Sequence, residues 1–170
     1  MLFRFINSDL FNAPASNNLY VQCGSADLAL GAGIAVEFNK RYNVKERAIE
    51  QITQPPEVGD IIYLDKRFEY DTPVVTLITK AKYNNKPTYG TLVRALMNLK
   101  QYLWDHKEIT ILSMPAIGCG LDKLDIDEVC NILITVFNDT QYEICMYILD
   151  QELCDNLNQK FNKEALLCRL

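Results

Sequence analysis

A strand followed by a glycine-containing loop and a helix start is the feature that most constrains the fold of this chain. The β-branched run at residues 109–112 predicts a buried strand. Gly118 and Gly120 follow it, so the backbone there can turn sharply and a ligand can approach closely. At residues 125–128 an Asp precedes a Glu by three positions, which predicts a helix start. Such a unit forms a cradle of backbone N–H groups that binds anions.

The same order of elements occurs earlier in the chain. Residues 19–23 predict a strand, and a loop rich in small residues follows at residues 24–33. Ile34, Phe38 and Tyr42 then recur at the spacing of one helix face. Two glycine loops that each open a helix predict two bound phosphates, or one diphosphate held from both sides.

The remaining segments alternate between strand and helix patterns. We predict further strands at residues 2–6, 60–64, 73–78 and 142–149, and further helices at residues 92–103, 126–137 and 150–161. The charged residues 65–67 suit an exposed connection, such as a hairpin, between two of these strands. This alternation predicts a single α/β domain over residues 1–170, with three layers (α/β/α) around a central mixed or largely parallel sheet.

Apolar spacing also predicts which helix residues are buried. The Leu92–Leu103 stripe marks one face of its helix, and Trp104 is expected to join the core with it. Asp150 is expected to cap the last helix, whose Leu153, Leu157 and Phe161 share a face.

Composition excludes several classes of function. The charged fraction of 23% and the apolar fraction of 49% are those of an ordinary globular protein without a membrane span or signal-peptide layout. Six cysteines lack paired C-x-x-C spacing and His106 is the single histidine, so we predict no metal site and free thiols in the cytoplasm. The net charge of −5 argues against broad binding to nucleic acid.

Four polar or glycine-rich segments come directly after predicted strands. They are residues 7–9, 24–33, 79–80 and 115–122. Parallel strands place such segments on one rim of the sheet, and ligands of α/β proteins bind outside that rim.

Five ordered motifs resemble a macro domain. They are Asp9-Leu-Phe11, Gly31-Ala-Gly-Ile-Ala35, Leu77-Ile-Thr-Lys80, Lys86-Pro-Thr-Tyr89, and Ser113-Met-Pro followed by Ile117-Gly-Cys-Gly-Leu-Asp122. The chain is most similar to the subgroup of terminal ADP-ribose protein glycohydrolases that use a lysine. The resemblance covers residues 2–149 and leaves the helix and tail at 150–170 outside it. The chain departs at Ser8, usually Gly, and at residues 22–25, where many macro domains carry asparagines.

The resemblance implies that ADP-ribose binds in the cleft, with Lys80 and Asp122 as the catalytic residues. Asp9 would accept a hydrogen bond from the adenine amino group. The late glycine loop would wrap the diphosphate, and the early one would close over the distal ribose. The implied substrate-binding residues are Asp9, Leu10, Cys23, Gly31, Gly33, Ile34, Ala116, Ile117, Gly118, Cys119, Gly120 and Leu121.

The chemistry of these two side chains is intelligible on its own. An unprotonated amine attacks a ring-opened sugar aldehyde to form a Schiff base. A free lysine has a pKa of about 10.4, so burial or a neighbouring cation must lower the pKa for the neutral amine to be present. Asp122 can shuttle protons for ring opening and for hydrolysis of the adduct. No metal or cofactor is needed.

The predicted function is therefore removal of terminal ADP-ribose from a modified macromolecule by a monomeric, cytoplasmic hydrolase. ADP-ribosylated protein, modified on Glu or Asp, is the first choice of substrate, and ADP-ribosylated thymidine in DNA is the second. Two alternatives remain: a non-catalytic ADP-ribose reader and a phosphatase of ADP-ribose 1″-phosphate. Without the motifs, Lys80 would be a solvated lysine and Asp122 a helix-dipole residue. Cys119 is expected to be a small loop residue and His106 a surface or C-terminal helix residue. The motif at residues 86–89 is expected to be either a helix start alone or one whose Tyr89 also forms part of the site wall.

Overall fold

Strands and helices alternate along the chain in the computed structural model. The backbone is described for residues 1–167 and the side chains for residues 1–162, so Cys168 lies outside the described residues. In chain order the elements are β1 (Leu2–Ile6), a 3-10 turn (Leu10–Asn12), β2 (Asn18–Ser25), α1 (Ile34–Tyr42), α2 (Val44–Gln51), β3 (Ile61–Leu64), β4 (Val74–Lys80), α3 (Tyr89–Leu103), β5 (Ile111–Met114), α4 (Ile126–Phe137), β6 (Glu143–Tyr147) and α5 (Gln151–Leu167).

The strands form one mixed sheet in the order β1-β6-β5-β2-β4-β3. Neighbours from β1 to β4 pair in parallel, and β3 pairs with β4 antiparallel through the predicted hairpin. The carboxyl ends of β1, β2, β4 and β5 therefore share one rim, where the four predicted segments lie: residues 7–9 and 115–122 follow their strands, residues 24–33 begin inside β2, and residues 79–80 end β4.

Strand alternation places a core on each face of this sheet. Leu19 and Val21 of β2 face α3, α4 and α5, whereas Tyr20 faces α1 and α2. The prediction of a three-layer α/β/α fold is confirmed. No helix within residues 1–167 is long and apolar enough to cross a bilayer.

Three local predictions were wrong. Trp104 is 69% exposed because it lies one residue beyond the buried stripe that ends at Leu103, and its ring packs against the Lys107 ammonium at 4.3 Å. Cys154, rather than Leu153, shares the buried face of α5 with Leu157 and Phe161. Lys80 is the last residue of β4 rather than the first residue after it.

The helix α5 covers the edge strand β1. Phe161 packs on Phe3 and Phe5, with ring centroids 6.4 and 5.8 Å apart respectively, and Asn158 donates a hydrogen bond to the Phe5 carbonyl at 3.1 Å. The Asp150 carboxylate accepts from the Leu153 N–H at 2.8 Å, which confirms the predicted helix cap.

Candidate active site

The two glycine loops enclose a cavity of about 1260 Å³ at the rim of the sheet. One wall is the loop between β2 and α1, and the other is the loop between β5 and α4. Lys80 reaches the cavity from the end of β4. The volume of the cavity exceeds the roughly 300–1,000 Å³ usual for small-molecule sites, so a nucleotide-sized ligand fits in it.

Lys80 and Asp122 form an ion pair in this cavity. The distance from Lys80 Nζ to Asp122 Oδ1 is 2.6 Å, and the two side chains are only 14% and 15% exposed. This distance lies within the roughly 2.6–3.2 Å reach that general acid–base catalysis requires. The structure thus joins the two residues that the resemblance implies are catalytic.

The late glycine loop depends on the conformation of Gly118. Its φ of +72° is in the left-handed region, and an added Cβ would lie 2.8 Å from Leu124 Cδ1. The Gly118 carbonyl accepts from the Leu124 N–H at 2.8 Å, which closes the loop. The Asp125 carboxylate then caps α4 by accepting hydrogen bonds from the N–H groups of Asp127 and Glu128.

The early glycine loop ends at an uncapped helix. Gly33, with φ of +60°, precedes α1, and no side chain caps its first N–H groups. Ile34 and Ala35 at this helix start line the cavity. Free N–H groups and the positive end of the helix dipole attract an anion to that place.

Asp27 joins this loop to the segment that follows β4. Its carboxylate accepts from the Ser25 hydroxyl at 2.5 Å and from the Tyr83 N–H at 3.0 Å. The hydrogen bond from Ser25 lowers the pKa of Asp27. The sequence alone did not single out Asp27.

Neither cysteine in the cavity is a ready nucleophile. Burial, and then the charge of Asp122, raises the pKa of Cys23 to about 12. Burial, and then the charge of Asp125, raises the pKa of Cys119 to about 11. Both thiols are therefore protonated at neutral pH. Since only the thiolate form of a cysteine attacks a substrate, neither thiol is activated as a nucleophile.

Most of the predicted substrate-binding residues line the cavity, and two do not. The lining includes Cys23, Gly31, Gly33, Ile34, Ala116, Ile117, Gly118, Cys119, Gly120 and Leu121. Leu10 instead is buried in the core beneath α1 and α2, and Asp9 is exposed, accepting from the Phe11 N–H at 2.9 Å. Their role at an adenine ring stays a prediction.

The Lys86-Pro-Thr-Tyr89 motif contributes more to the site than the sequence suggested. Lys86 and Tyr89 both line the cavity. Lys86 Nζ donates to the Leu121 carbonyl at 2.6 Å, and the Tyr89 hydroxyl accepts from the Asp125 N–H at 3.1 Å. Tyr89 was expected to wall the site, whereas the contact of Lys86 could not be anticipated. Among the residues whose side chains are described, no cluster of His, Cys, Asp or Glu could hold a metal ion.

This fold is that of a macro domain. The structure superimposes on the macrodomain of Mycobacterium tuberculosis DarG with a TM-score of 0.75 at 20% identity, covering 86% of this chain and 97% of that one. It matches Thermosipho africanus DarTG in complex with ADP-ribose with a TM-score of 0.73 at 16% identity, covering 86% and 41% of the two chains. A macrodomain from Oceanobacillus iheyensis gives a TM-score of 0.71 at 15% identity, covering 98% and 93%.

Sequence similarity defines the group within that fold. The chain is 37% identical over 145 residues to the ADP-ribose glycohydrolase OARD1 of Bos taurus and 36% identical over 145 residues to that of Homo sapiens. Each alignment covers 85% of this chain and 90% of the relative. No protein-family model matches the chain. The chain belongs to the macro domain family, in the OARD1 group of ADP-ribose glycohydrolases, and the predictions of a macro domain and of a hydrolase are confirmed.

Proposed function

We propose that this protein removes terminal ADP-ribose from modified macromolecules through a covalent adduct on Lys80. The observation that carries the proposal is the 2.6 Å contact between Lys80 and Asp122 at the wall of a nucleotide-sized cavity. A non-catalytic reader does not need Lys80 and Asp122 to lie together, so their contact favours the enzyme.

The ligand is held largely by backbone N–H groups in this proposal. The loop at residues 116–121 and the uncapped start of α1 bind the diphosphate from opposite sides. The distal ribose then lies against Lys80 and Asp122. Gly33 leaves space there, since an added Cβ would meet only Leu121 Cδ1, at 3.9 Å.

In the reaction, the ion pair generates the neutral Lys80 amine and stores its proton on Asp122. Asp122 takes the proton of the Lys80 ammonium, and the neutral amine attacks the anomeric carbon of the distal ribose. The new C–N bond replaces the bond to the carrier, whose carboxylate leaves. As the sugar ring opens, a proton of the substituted amine moves to the ring oxygen and a protonated Schiff base forms. Water hydrolyses this Schiff base to free ADP-ribose and the Lys80 ammonium, and Asp122 releases its stored proton to solvent.

The carrier of the ADP-ribose is proposed to be a protein modified on Glu or Asp, with thymidine in DNA as the second choice. The net charge of −5 disfavours a polyanionic carrier. A monomeric state and a cytoplasmic location also stay predictions.

The test offers the purified protein an ADP-ribosyl-glutamate protein and an ADP-ribosyl-thymidine oligonucleotide side by side, with free ADP-ribose as the readout. We expect Lys80→Ala and Lys80→Arg to lose turnover while ADP-ribose affinity, measured by calorimetry, stays within about threefold, because backbone groups provide most of the binding. Lys82→Met, an exposed lysine outside the cavity lining, serves as the matched control.

Trapping gives a second readout. Cyanoborohydride reduces a Schiff base to a stable secondary amine, so the wild-type protein is expected to gain an adduct on the peptide that contains Lys80. Unchanged turnover in Lys80→Ala would remove the covalent mechanism. Release of inorganic phosphate from ADP-ribose 1″-phosphate would identify the phosphatase instead.

A further inference from the structure

Two hydrogen bonds from the Lys86-Pro-Thr-Tyr89 motif hold the loop on either side of Asp122. Lys86 Nζ binds the carbonyl of Leu121, the residue before Asp122, at 2.6 Å. The Tyr89 hydroxyl binds the N–H of Asp125, three residues after Asp122, at 3.1 Å. Both contacts join this motif to residues more than thirty positions away in the chain.

Within the loop, two backbone hydrogen bonds act besides the Lys80–Asp122 pair: the Lys123 N–H donates to the Gly120 carbonyl at 3.1 Å, and the Leu124 N–H donates to the Gly118 carbonyl at 2.8 Å. The Leu121 side chain is 65% exposed, and a Cβ added at Gly120 would meet no atom within 4 Å. Lys123 is exposed and adopts a left-handed conformation with φ of +59°, which costs a lysine about 1–2 kcal/mol. A strained, solvent-facing turn returns to other conformations unless contacts from outside the turn select one.

The motif itself is rigid. Pro87 is buried, and its ring restricts the backbone before α3. Thr88 caps that helix by accepting from the Thr91 N–H at 3.1 Å, while the Thr91 hydroxyl accepts from the Thr88 N–H at 3.0 Å. Lys86 and Tyr89 therefore extend from a capped helix start towards the loop that carries Asp122.

We infer that Lys86 and Tyr89 are positioning residues that keep the Asp122 carboxylate in contact with Lys80. The inference rests on the proposed function for its kinetic consequence. An ammonium on the Leu121 carbonyl orients the peptide plane from which the Asp122 side chain departs. Loss of either contact lets this peptide rotate and displaces the Asp122 carboxylate from Lys80. A displacement of about 1 Å at a catalytic group lowers the rate by up to about hundredfold.

A different role for Lys86 predicts different kinetics. As a cation in the cavity lining it could bind a substrate phosphate directly. Truncation of a phosphate ligand weakens binding of ADP-ribose, whereas truncation of a positioning residue lowers kcat and leaves that binding unchanged.

The experiment compares Lys86→Met, Lys86→Arg, Tyr89→Phe and the Lys86→Met/Tyr89→Phe double variant with Lys82→Met as the control. We expect kcat to fall by about tenfold to about hundredfold in Lys86→Met and in Tyr89→Phe, with ADP-ribose affinity within about twofold of wild type. Lys86→Arg keeps a donor and is expected to recover most of the loss. Tyr89→Phe keeps the ring and removes only the acceptor.

Hydrogen exchange provides a readout that does not need turnover. The amides of residues 120–125 are expected to exchange faster in Lys86→Met and in Tyr89→Phe than in wild type or Lys82→Met, with the rest of the chain unchanged. Wild-type kcat together with wild-type exchange in the double variant overturns the inference, as does a loss confined to ADP-ribose affinity. Should the protein release no ADP-ribose at all, the proposed function fails, and the exchange measurement alone decides the positioning role.

Discussion

At the scale of single residues, Asp122 has two effects on its neighbours. It pairs with Lys80 at 2.6 Å, and its charge adds to burial in raising the pKa of Cys23. The site therefore holds one amine that can exchange a proton with a partner, beside thiols that stay protonated. This contrast favours the amine over Cys23 and Cys119 as the group that attacks the substrate.

Cys119 should react slowly with thiol reagents although it lines the cavity. A pKa near 11 instead of 9 lowers the thiolate fraction at neutral pH about hundredfold, and iodoacetamide reacts with the thiolate. We expect slow labelling of Cys119 at pH 7.5, a steep rise towards pH 10, and fast labelling at pH 7.5 in guanidinium. Mass spectrometry of the labelled peptide gives the rates. Fast labelling of the folded protein at pH 7.5 would contradict the raised pKa.

Sequence motifs singled out Lys80 and Asp122, which lie in contact in the structure, but they did not predict the contacts of the surrounding loops. The bond from Lys86 to the Leu121 carbonyl ends on a backbone atom, and every residue type offers the same carbonyl. Asp27 was missed for a similar reason, because its partner is the N–H of Tyr83 in another loop. Contacts of this kind follow from the tertiary fold and carry no signature in one sequence.

At the scale of elements, the late glycine loop needs glycine at one position more than at the other. Gly118→Ala forces a left-handed alanine and places its Cβ 2.8 Å from Leu124. We expect a loss of about 1–3 kcal/mol in the free energy of unfolding and weaker binding of ADP-ribose. Thermal denaturation and calorimetry measure the two effects.

Gly120→Ala is the matched control for stability. An added Cβ there meets nothing within 4 Å, and Gly120 is not among the described residues with positive φ. We expect its free energy of unfolding to stay within about 0.5 kcal/mol of wild type. Equal losses in the two variants would show that the conformation of Gly118 is not what the loop requires.

Element boundaries were predicted less well than element types. Asn43 shows why: its left-handed backbone, with φ of 51°, ends α1 and immediately starts α2, which the sequence analysis did not predict. Most residues of α2 are charged or polar, and only Val44 and Ala48 are buried. The apolar spacing in its sequence is therefore too weak to predict a helix. The apolar character of Trp104 predicted a core position. Each residue of a helix is rotated by about 100° from the one before it, so the residue after buried Leu103 faces solvent.

At the scale of the whole molecule, buried thiols make the fold sensitive to alkali. The pKa of Cys23, Cys130 and Cys145 is raised to about 12, primarily by burial. In the unfolded chain these thiols ionise near the ordinary value of 9. Between those values the folded state binds more protons than the unfolded state, so its stability falls as the pH rises.

We therefore expect the free energy of unfolding to be nearly flat from pH 7 to 8 and to fall above pH 9. Each thiol contributes a slope of at most about 1.4 kcal/mol per pH unit. Urea denaturation at pH 7.5, 9.0, 9.75 and 10.5 measures the change, and Cys145→Ala should show a shallower decline. A stability that is constant up to pH 10.5 would contradict the assignment.

The covering of β1 by α5 ties the solubility of the molecule to its C-terminal region. A chain cut before Gln151 would bare the rings of Phe3 and Phe5 and free the carbonyl that Asn158 occupies. An uncovered, aromatic sheet edge is a template on which further copies add strand by strand. Limited proteolysis at that end would therefore open this sheet edge to other copies of the chain, and it would also remove Leu153 from the lining of the cavity that holds Lys80 and Asp122.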